Sequence, residues 1–290
     1  MVGATVVLAL GSFALMLLFR SRVQALKRER GWQAEASERV AVVGSATGEP
    51  LLRPVPMAAN LVYVPIVLAT LALCVALYPH MPDQIPMHVD FSGGVTSYAP
   101  KSPITVGLVL VIQVFMAAVM AFAHLTIVRS KRPVVPESPA LSSLAYALHA
   151  RAWSMAILLA GVVLCVCLAL LPLAMVGAMS LAAWGALMLA VLIVILAAFV
   201  VLTVRYGQDG SRAIKRLTPR ETDCRMRADD DALWKAGVFY CNLDEPAVFV
   251  SKRFGIGWTI NWARPLSWVS IAVLVLPVVL LVWFCAKVSQ

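Results

Sequence analysis

Charged side chains are scarce in this chain. Asp, Glu, Lys and Arg make up 13% of its 290 residues, whereas an average soluble domain has about 25%. Hydrophobic residues reach 61% and the mean hydropathy is +0.86. The remaining polar side chains are too few to cover a soluble globule of this length. The shortage of charge excludes an ordinary soluble protein and predicts an integral membrane protein whose first partner is the lipid bilayer.

Motifs of the common enzyme classes are also missing. The sequence has no GxSxG elbow, no Walker loop, no GxGxxG and no CxxC. Its six cysteines divide between apolar blocks and one basic segment, a distribution that predicts no disulfide framework. We therefore expect a non-enzymatic protein that needs no cofactor.

Long apolar runs are abundant. Six blocks approach the length of about 20 residues that a helix needs to cross a hydrocarbon core. None alternates with period two, as a strand of a membrane barrel would. We predict an all-α fold with about six transmembrane helices, at Val2–Phe19, Leu61–Tyr78, Ile104–Val128, Ala152–Leu173, Ser180–Val204 and Leu266–Ala286.

Basic residues indicate the orientation in the membrane. Segments 20–60, 129–151 and 205–268 hold 22 of the 24 Lys and Arg residues. Because such residues concentrate in cytoplasmic loops, these segments are expected inside the cell, with both termini and the 79–103 loop outside. The net charge of +9 then reports topology and attraction to anionic lipid, and it requires no direct contact with nucleic acid.

These segments divide the chain into four parts. Residues 1–60 form the first transmembrane helix and a basic cytoplasmic linker, and residues 61–128 form a helix pair around the 79–103 loop. Residues 129–204 form a second helix pair, and residues 205–290 form a cytoplasmic segment and the last helix.

The cytoplasmic segment is predicted to contain a small helix and hairpin before the last span. Acidic residues 229–231 favour a helix start and Gly237 favours its end, with Trp234 on the apolar side. Val238–Tyr240 and Ala247–Val250 are β-prone runs separated by turn residues, which predicts that they pair as a hairpin.

The polar 79–103 loop offers two interpretations. Imidazole and carboxylate groups are ordinary zinc ligands, so the loop could hold a metal. The spacing matches no metalloprotease motif, so we favour a rigid proline turn that binds no metal, in which His88 is the ligand-contacting or pH-responsive candidate. The residues concerned are His80, Asp83, Pro86, His88, Asp90 and Lys101.

Inside the predicted spans the polar groups are few. Gln113, His124 and Thr126 lie on the third span, and for His124 we favour a structural role because it is close to the interface. None of the six blocks carries Asp, Glu, Lys or Arg. This argues against a proton-coupled transporter.

Two stretches resemble known bacterial families. YPHMPDQIPMHVDFSGGVTSYAPK resembles the membrane segment called domain of unknown function 1648, and the resemblance covers roughly residues 60–125. The matching positions are Pro82, Ile85, Pro86, His88, Gly93 or Gly94, Tyr98 and Lys101.

A second stretch, WKAGVFYCNLDEPAVFVSKRFGIGWTINWARPLSW, resembles domain of unknown function 5808, which accompanies the first in some bacterial proteins. The positions that carry it are Trp234, Gly237, Tyr240, Asn242, Asp244, Pro246, Val250, Lys252, Arg253, Gly255, Gly257, Asn261 and Pro265.

The resemblances imply a multi-pass protein of the bacterial cytoplasmic membrane. Relatives of the first family include Sdp-type immunity proteins, which protect a cell from a secreted toxic peptide and can sequester a repressor at the membrane. Their Arg-Thr-Pro-Trp-like stretch is absent from this chain. The first hypothesis is a sensor or immunity-type protein with an extracellular peptide ligand and a cytoplasmic regulator as partner. The alternatives are a small transporter component and a membrane metalloenzyme that uses the outer histidines.

Overall fold

The structure is a computed structural model that describes residues 2–31, 52–90, 92–130, 139–207, 210–213, 231–252 and 257–288. Most of these residues are helical. The helices are α1 (Val2–Glu29), α2 (Tyr63–Leu77), α3 (Pro103–Val128), α4 (Pro139–Ala169), α5 (Leu171–Met175), α6 (Leu181–Tyr206) and α7 (Pro265–Val288). Single 3-10 turns flank α2, at Met57–Val62 and Tyr78–His80.

Among the described residues, four helical stretches are long and apolar enough to cross a membrane. They are Met57–His80, Pro103–Val128, Leu141–Met175 and Leu181–Tyr206, and apart from Ser180, the N-cap of the last one, they contain the four middle blocks predicted from the sequence. The first and last predicted blocks lie inside the helices α1 and α7. That these two helices also cross the membrane stays a prediction.

Local sequence signals fix the ends of the spanning helices. Ser102 caps α3, because its Oγ accepts a hydrogen bond from the backbone N–H of Thr105 at 3.0 Å. Ser180 caps α6 in the same way through the N–H of Ala183 at 3.1 Å. At the other end of α6, Gly207 has a φ of 70°, a left-handed conformation that glycine adopts without steric cost.

The helix α4 lies at the centre of the bundle and packs against α2, α3 and α6. Its closest approach to α2 is at Gly161, where an added Cβ would meet the Tyr63 ring carbon Cζ at 2.8 Å. The missing side chain therefore allows the Tyr63 ring to lie directly on the α4 backbone, as small residues do at membrane helix interfaces.

A buried glutamine joins three helices inside the bundle. The side-chain Nε2 of Gln113 on α3 donates to Thr70 Oγ1 on α2 at 2.9 Å and to the Cys165 carbonyl on α4 at 2.8 Å. Close by, at the C-terminal end of α4, the indole N–H of Trp184 on α6 donates to the Cys167 carbonyl at 2.8 Å. These hydrogen bonds fix the relative positions of the helices where lipid offers no polar partner.

The fold is mostly helical, as predicted, and the described residues also form three two-stranded antiparallel sheets. The strand pairs are β1 (Gln84–Val89) with β2 (Val95–Pro100), β3 (Trp234–Lys235) with β4 (Phe239–Tyr240), and β5 (Phe249–Ser251) with β6 (Trp258–Ile260). The first pair was not predicted and occupies the loop expected to be a rigid proline turn. The other two occupy the segment before α7.

The short helix predicted to end at Gly237 is wrong. A single 3-10 turn at Asp231–Leu233 leads directly into β3. Ala236 and Gly237 then have positive φ values of 51° and 76°, as the central residues of a hairpin turn require. The predicted pairing of Val238–Tyr240 with Ala247–Val250 is also wrong, because each run pairs with a different neighbour. Residues 229 and 230 lie outside the described part of the chain.

Candidate functional sites in the hairpin and the C-terminal module

The β1–β2 hairpin is anchored to the end of the bundle where α2 ends and α3 begins. Ile85 on β1 is fully buried, and it packs with Met81 just before the strand. The same apolar cluster includes side chains from α2, α3 and α5, namely Cys74, Val106, Val109 and Met175. The predicted loop is thus a hairpin whose base belongs to the core of the bundle.

Lys101 fastens the base of the hairpin. Its Nζ donates to the Met81 carbonyl at 2.9 Å and to the Pro79 carbonyl at 3.4 Å. The same ammonium group lies 5.1 Å from the centre of the Tyr78 ring, a cation–π distance. The Lys101 backbone N–H donates to the Asp83 carbonyl at 2.8 Å. The lysine therefore satisfies two carbonyls in and just after the 3-10 turn that follows α2.

Asp90 closes the turn at the tip of the hairpin. Its carboxylate accepts hydrogen bonds from the Ser92 hydroxyl at 2.6 Å, the Ser92 N–H at 2.9 Å and the Gly94 N–H at 2.8 Å. The Ser92 hydroxyl, followed by the Gly94 amide, holds the pKa of this carboxyl below its ordinary value. Gly93 supplies the positive φ of 88° that the turn needs.

The hairpin exposes chemically varied side chains. His88 is exposed, and its Nδ1 lies 2.7 Å from the Ser97 hydroxyl oxygen on β2. Tyr98 follows Ser97 in β2, pairs with Pro86 in the register and is 58% exposed. The register shifts on both sides of His88, and such irregularities re-aim a side chain relative to a regular strand. We call the paired His88 and Ser97 the His88 face.

The structure does not gather the predicted loop residues into one centre. His80 and Asp83 are exposed near the base of the hairpin, whereas Asp90 is committed to the turn at its tip. Within the described ranges, no group of three or more His, Cys, Asp or Glu side chains lies close enough to hold a metal ion.

The described residues of 231–264 form a second unit, the C-terminal module, at the end of α3 opposite the hairpin. Its small core contains Trp234, Tyr240 and Val250, each at most 5% exposed. The rings of Trp234 and Tyr240 meet edge to face at 5.2 Å between centroids. The core thus joins the β3–β4 pair to the β5–β6 pair.

Asn261 is the polar centre of this module and is fully buried. Its Oδ1 accepts from the backbone N–H of Asn242 at 3.0 Å, and its Nδ2 donates to the Asn242 carbonyl at 2.7 Å. Its own carbonyl accepts from the Ser267 hydroxyl at 2.6 Å in the first turn of α7. The predicted site residue therefore has a structural explanation, because it ties a loop, a strand end and a helix together.

The other predicted residues of the module lie around this centre. The Asn242 side chain accepts from the Asp244 N–H at 2.9 Å, forming a local turn, while the Asp244 side chain is exposed. Lys252 is exposed, and its backbone N–H donates to the carbonyl of Gly257 at 2.9 Å. The predicted residues 253 and 255, Arg253 and Gly255, lie outside the described part of the chain.

Two basic residues of α1 bind the module and were not singled out from the sequence. Arg20 donates to the carbonyl of Trp234 at 2.7 Å. Lys27 forms an ion pair with Asp231 at 2.6 Å, with 15% and 23% of the two side chains exposed. In the sequence, both residues indicate only that their segment is cytoplasmic. Their spacing of seven residues, about two helical turns, places them on one face of the helix.

The module also contacts the end of α3. Phe249 on β5 meets Phe122 edge to face at 5.9 Å, and Trp258 on β6 packs against the buried cluster that includes Ile127. Between Phe122 and Ile127 on α3, His124 is buried. Its Nδ1 lies 2.9 Å from Asn60 Nδ2, and its Nε2 lies 2.9 Å from the Val55 carbonyl. Both ring nitrogens of His124 thus hold the segment that precedes α2.

Two family models match parts of the chain. Residues 66–114 match the one described as Domain of unknown function (DUF1648), and residues 246–268 match the one described as Family of unknown function (DUF5808). Both resemblances inferred from the motifs are thereby confirmed, and the second match includes Asn261 but stops short of Trp234. There is no significant match to a curated protein or to a solved structure. The relation to Sdp-type immunity proteins stays a prediction.

Proposed function

We propose that this membrane protein is a non-enzymatic receptor of the sensor or immunity type. In this proposal the hairpin lies outside the bacterial cytoplasmic membrane and meets an extracellular peptide. Both chain termini lie on that side, and the C-terminal module lies in the cytoplasm and binds a regulator protein. The charge distribution of the sequence supports this orientation.

The observation that carries the proposal is the contrast between the base and the face of the hairpin. Ile85 and Lys101 fix the base to the bundle, whereas His88 and Tyr98 are exposed above it. A binding surface needs this combination, because a pre-organised scaffold lowers the entropy lost when a ligand binds. The imidazole of His88 and the hydroxyl of Ser97 can form hydrogen bonds with the carbonyls and amides of a peptide. The neighbouring Tyr98 ring suits its apolar side chains.

A direct mechanical path supports a relay. The hairpin runs into α3 immediately after Lys101, and α3 contacts the C-terminal module at Phe122 near its other end. One rigid helix therefore touches both units. A ligand that prefers one position of α3 would shift the population of module conformations by its differential affinity.

The test is a challenge experiment with matched histidine variants. The chain is expressed in a peptide-sensitive bacterial host, which is exposed to a panel of secreted antimicrobial peptides. We expect survival to increase with the intact protein and to be lost with His88→Ala, while His80→Ala, an exposed histidine off the His88 face, retains protection. Equal survival with and without the protein across the panel, together with no effect of His88→Ala, would contradict the proposal.

A further inference from the structure

The C-terminal module lies at the depth of a membrane surface. Phe249 contacts Phe122, which is six residues, or about 9 Å along a helix, before the end of α3 at Val128. Trp258 packs against the buried cluster that includes Ile127 in the last turn of the same helix. Because α3 is long and apolar enough to span, the module lies against the end of a candidate span.

Aromatic rings connect the module to the first turn of α7. Phe239 on β4 meets Trp262 edge to face at 5.5 Å, and Trp262 meets Trp268 at 5.3 Å. The indole N–H of Trp268 donates to the Trp262 carbonyl at 3.3 Å. Since α7 packs along α3, Trp268 lies beside the same helix end. Tryptophans with one apolar body and one polar tip are enriched at this level of a bilayer.

The module exposes large apolar side chains, and the turn that carries Leu243 is tied through Asn242 to Asn261, the neighbour of Trp262. Leu243 has 72% of its side chain exposed, Trp268 56% and Phe239 42%. Leu243 occupies the tip of the local turn formed by Asn242 and Asp244. A soluble surface would make such a patch an aggregation liability, whereas lipid removes it from water.

We propose that Phe239, Leu243 and Trp268 form an interfacial lipid-binding face that inserts into the boundary between headgroups and acyl chains of the protein's own bilayer. The occupant is lipid, because the face continues directly into the apolar surface of α7 at Leu266 and Val269, which are 40% and 54% exposed. The face keeps the module at a fixed depth against α3. It is independent of the peptide-receptor proposal.

Spin-label depth measurement tests this face. The full chain with Cys224→Ser, Cys241→Ser and Cys285→Ser, in which the remaining Cys74, Cys165 and Cys167 are buried, is reconstituted in nanodiscs of phosphatidylethanolamine and phosphatidylglycerol, and Leu243→Cys carries the label. Lys252→Cys, an exposed position in the same module, is the matched control. We expect the Leu243 label to be more accessible to oxygen than to an aqueous nickel complex, and the Lys252 label to show the reverse.

The Leu243 substitution is suited to this test because its exposure leaves the fold undisturbed. A Leu243 label as accessible to the aqueous nickel complex as the Lys252 label would overturn the proposal. That result would mean that the face is open to water and suited to a protein partner instead.

Discussion

Asn261 and Asn242 exchange two hydrogen bonds, one through each polar atom of the Asn261 side chain, at 3.0 and 2.7 Å. The side-chain amide of Asn261 therefore bonds the N–H and the C=O of Asn242 as the backbone of a neighbouring β-strand would. Its Nδ2 also lies within 3.3 and 3.4 Å of the Glu245 and Ala247 carbonyls. No other side chain type offers both a donor and an acceptor at this length.

Replacing Asn261 by Leu should open the C-terminal module. The substitution keeps the branch at Cγ but removes both polar atoms, which leaves the half-buried N–H and C=O of Asn242 without their Asn261 partners, at a cost of up to about 1–3 kcal/mol for each group. Hydrogen exchange of the 240–252 amides should therefore accelerate strongly. The exposed neighbour Asp244→Asn serves as control and should leave exchange unchanged. Equal exchange in both variants would show that Asn261 does not hold the loop.

Gly161→Ala should destabilise the bundle. The new Cβ would come within 2.8 Å of Tyr63 Cζ and 3.0 Å of the Met120 Cβ, and overpacking of this kind costs about 1–3 kcal/mol. Gly107→Ala on α3 is the matched control, because an added Cβ there meets nothing within 4 Å. Thermal unfolding in detergent should show a lower midpoint for the first variant only. An unchanged midpoint for Gly161→Ala would mean that α2 and α4 separate at little cost.

Acid should loosen the hairpin turn through Asp90. Its ordinary pKa is 3.8, and the bonds from Ser92 and Gly94 lower the value in the folded hairpin. A group with a lowered folded pKa contributes stability above its unfolded pKa, and that stability is lost as the pH falls through the folded value. Carboxyl titration by NMR should give a midpoint below 3.8. In Ser92→Ala the midpoint should move upward, and an identical midpoint would contradict the assignment.

Charge reversal should separate α1 from the C-terminal module. Lys27→Glu places like charges at the 2.6 Å, half-buried ion pair with Asp231, and even solvent-exposed ion pairs contribute up to about 1 kcal/mol. Protection of the β3–β4 amides from hydrogen exchange should fall in Lys27→Glu and return in the double variant Lys27→Glu, Asp231→Lys. A double-mutant cycle isolates the pair from the other contacts of the two side chains. Additive effects of the two substitutions would show that the pair has no coupling.

The four candidate spans were predictable because the length and hydropathy of a block decide them without tertiary information. The same reasoning missed the β1–β2 hairpin, in which only Ile85, Met87 and Val89 of β1 alternate. Pro86 and the two irregularities in register at His88 interrupt the period-two pattern. A hairpin anchored by a single buried residue, Ile85, has too few apolar positions for periodicity to reveal it.

Some of the site residues could be recognised from the sequence, but their contacts could not. The motif residues Lys101 and Asn261 stood out as part of a pattern, but their roles depend on carbonyls distant in sequence, such as that of Met81. The acidic residues before Trp234 predict a helix start. The chain instead forms β3 and reverses at Ala236, which has a positive φ, into β4. Arg20 gave no sign of its partner, because that partner is a backbone carbonyl 214 residues away.

The hydrogen bond from Ser267 to the Asn261 carbonyl can form only after the start of α7 has been synthesised. A ribosome releases α1 and α3 long before it reaches Asn261, so the surfaces that receive the C-terminal module wait unfilled during synthesis. The module closes only when the beginning of α7 has emerged and is in place. A chain that stops ahead of Ser267 would leave the Asn261 carbonyl without this donor, and the module would lack its tie to α7.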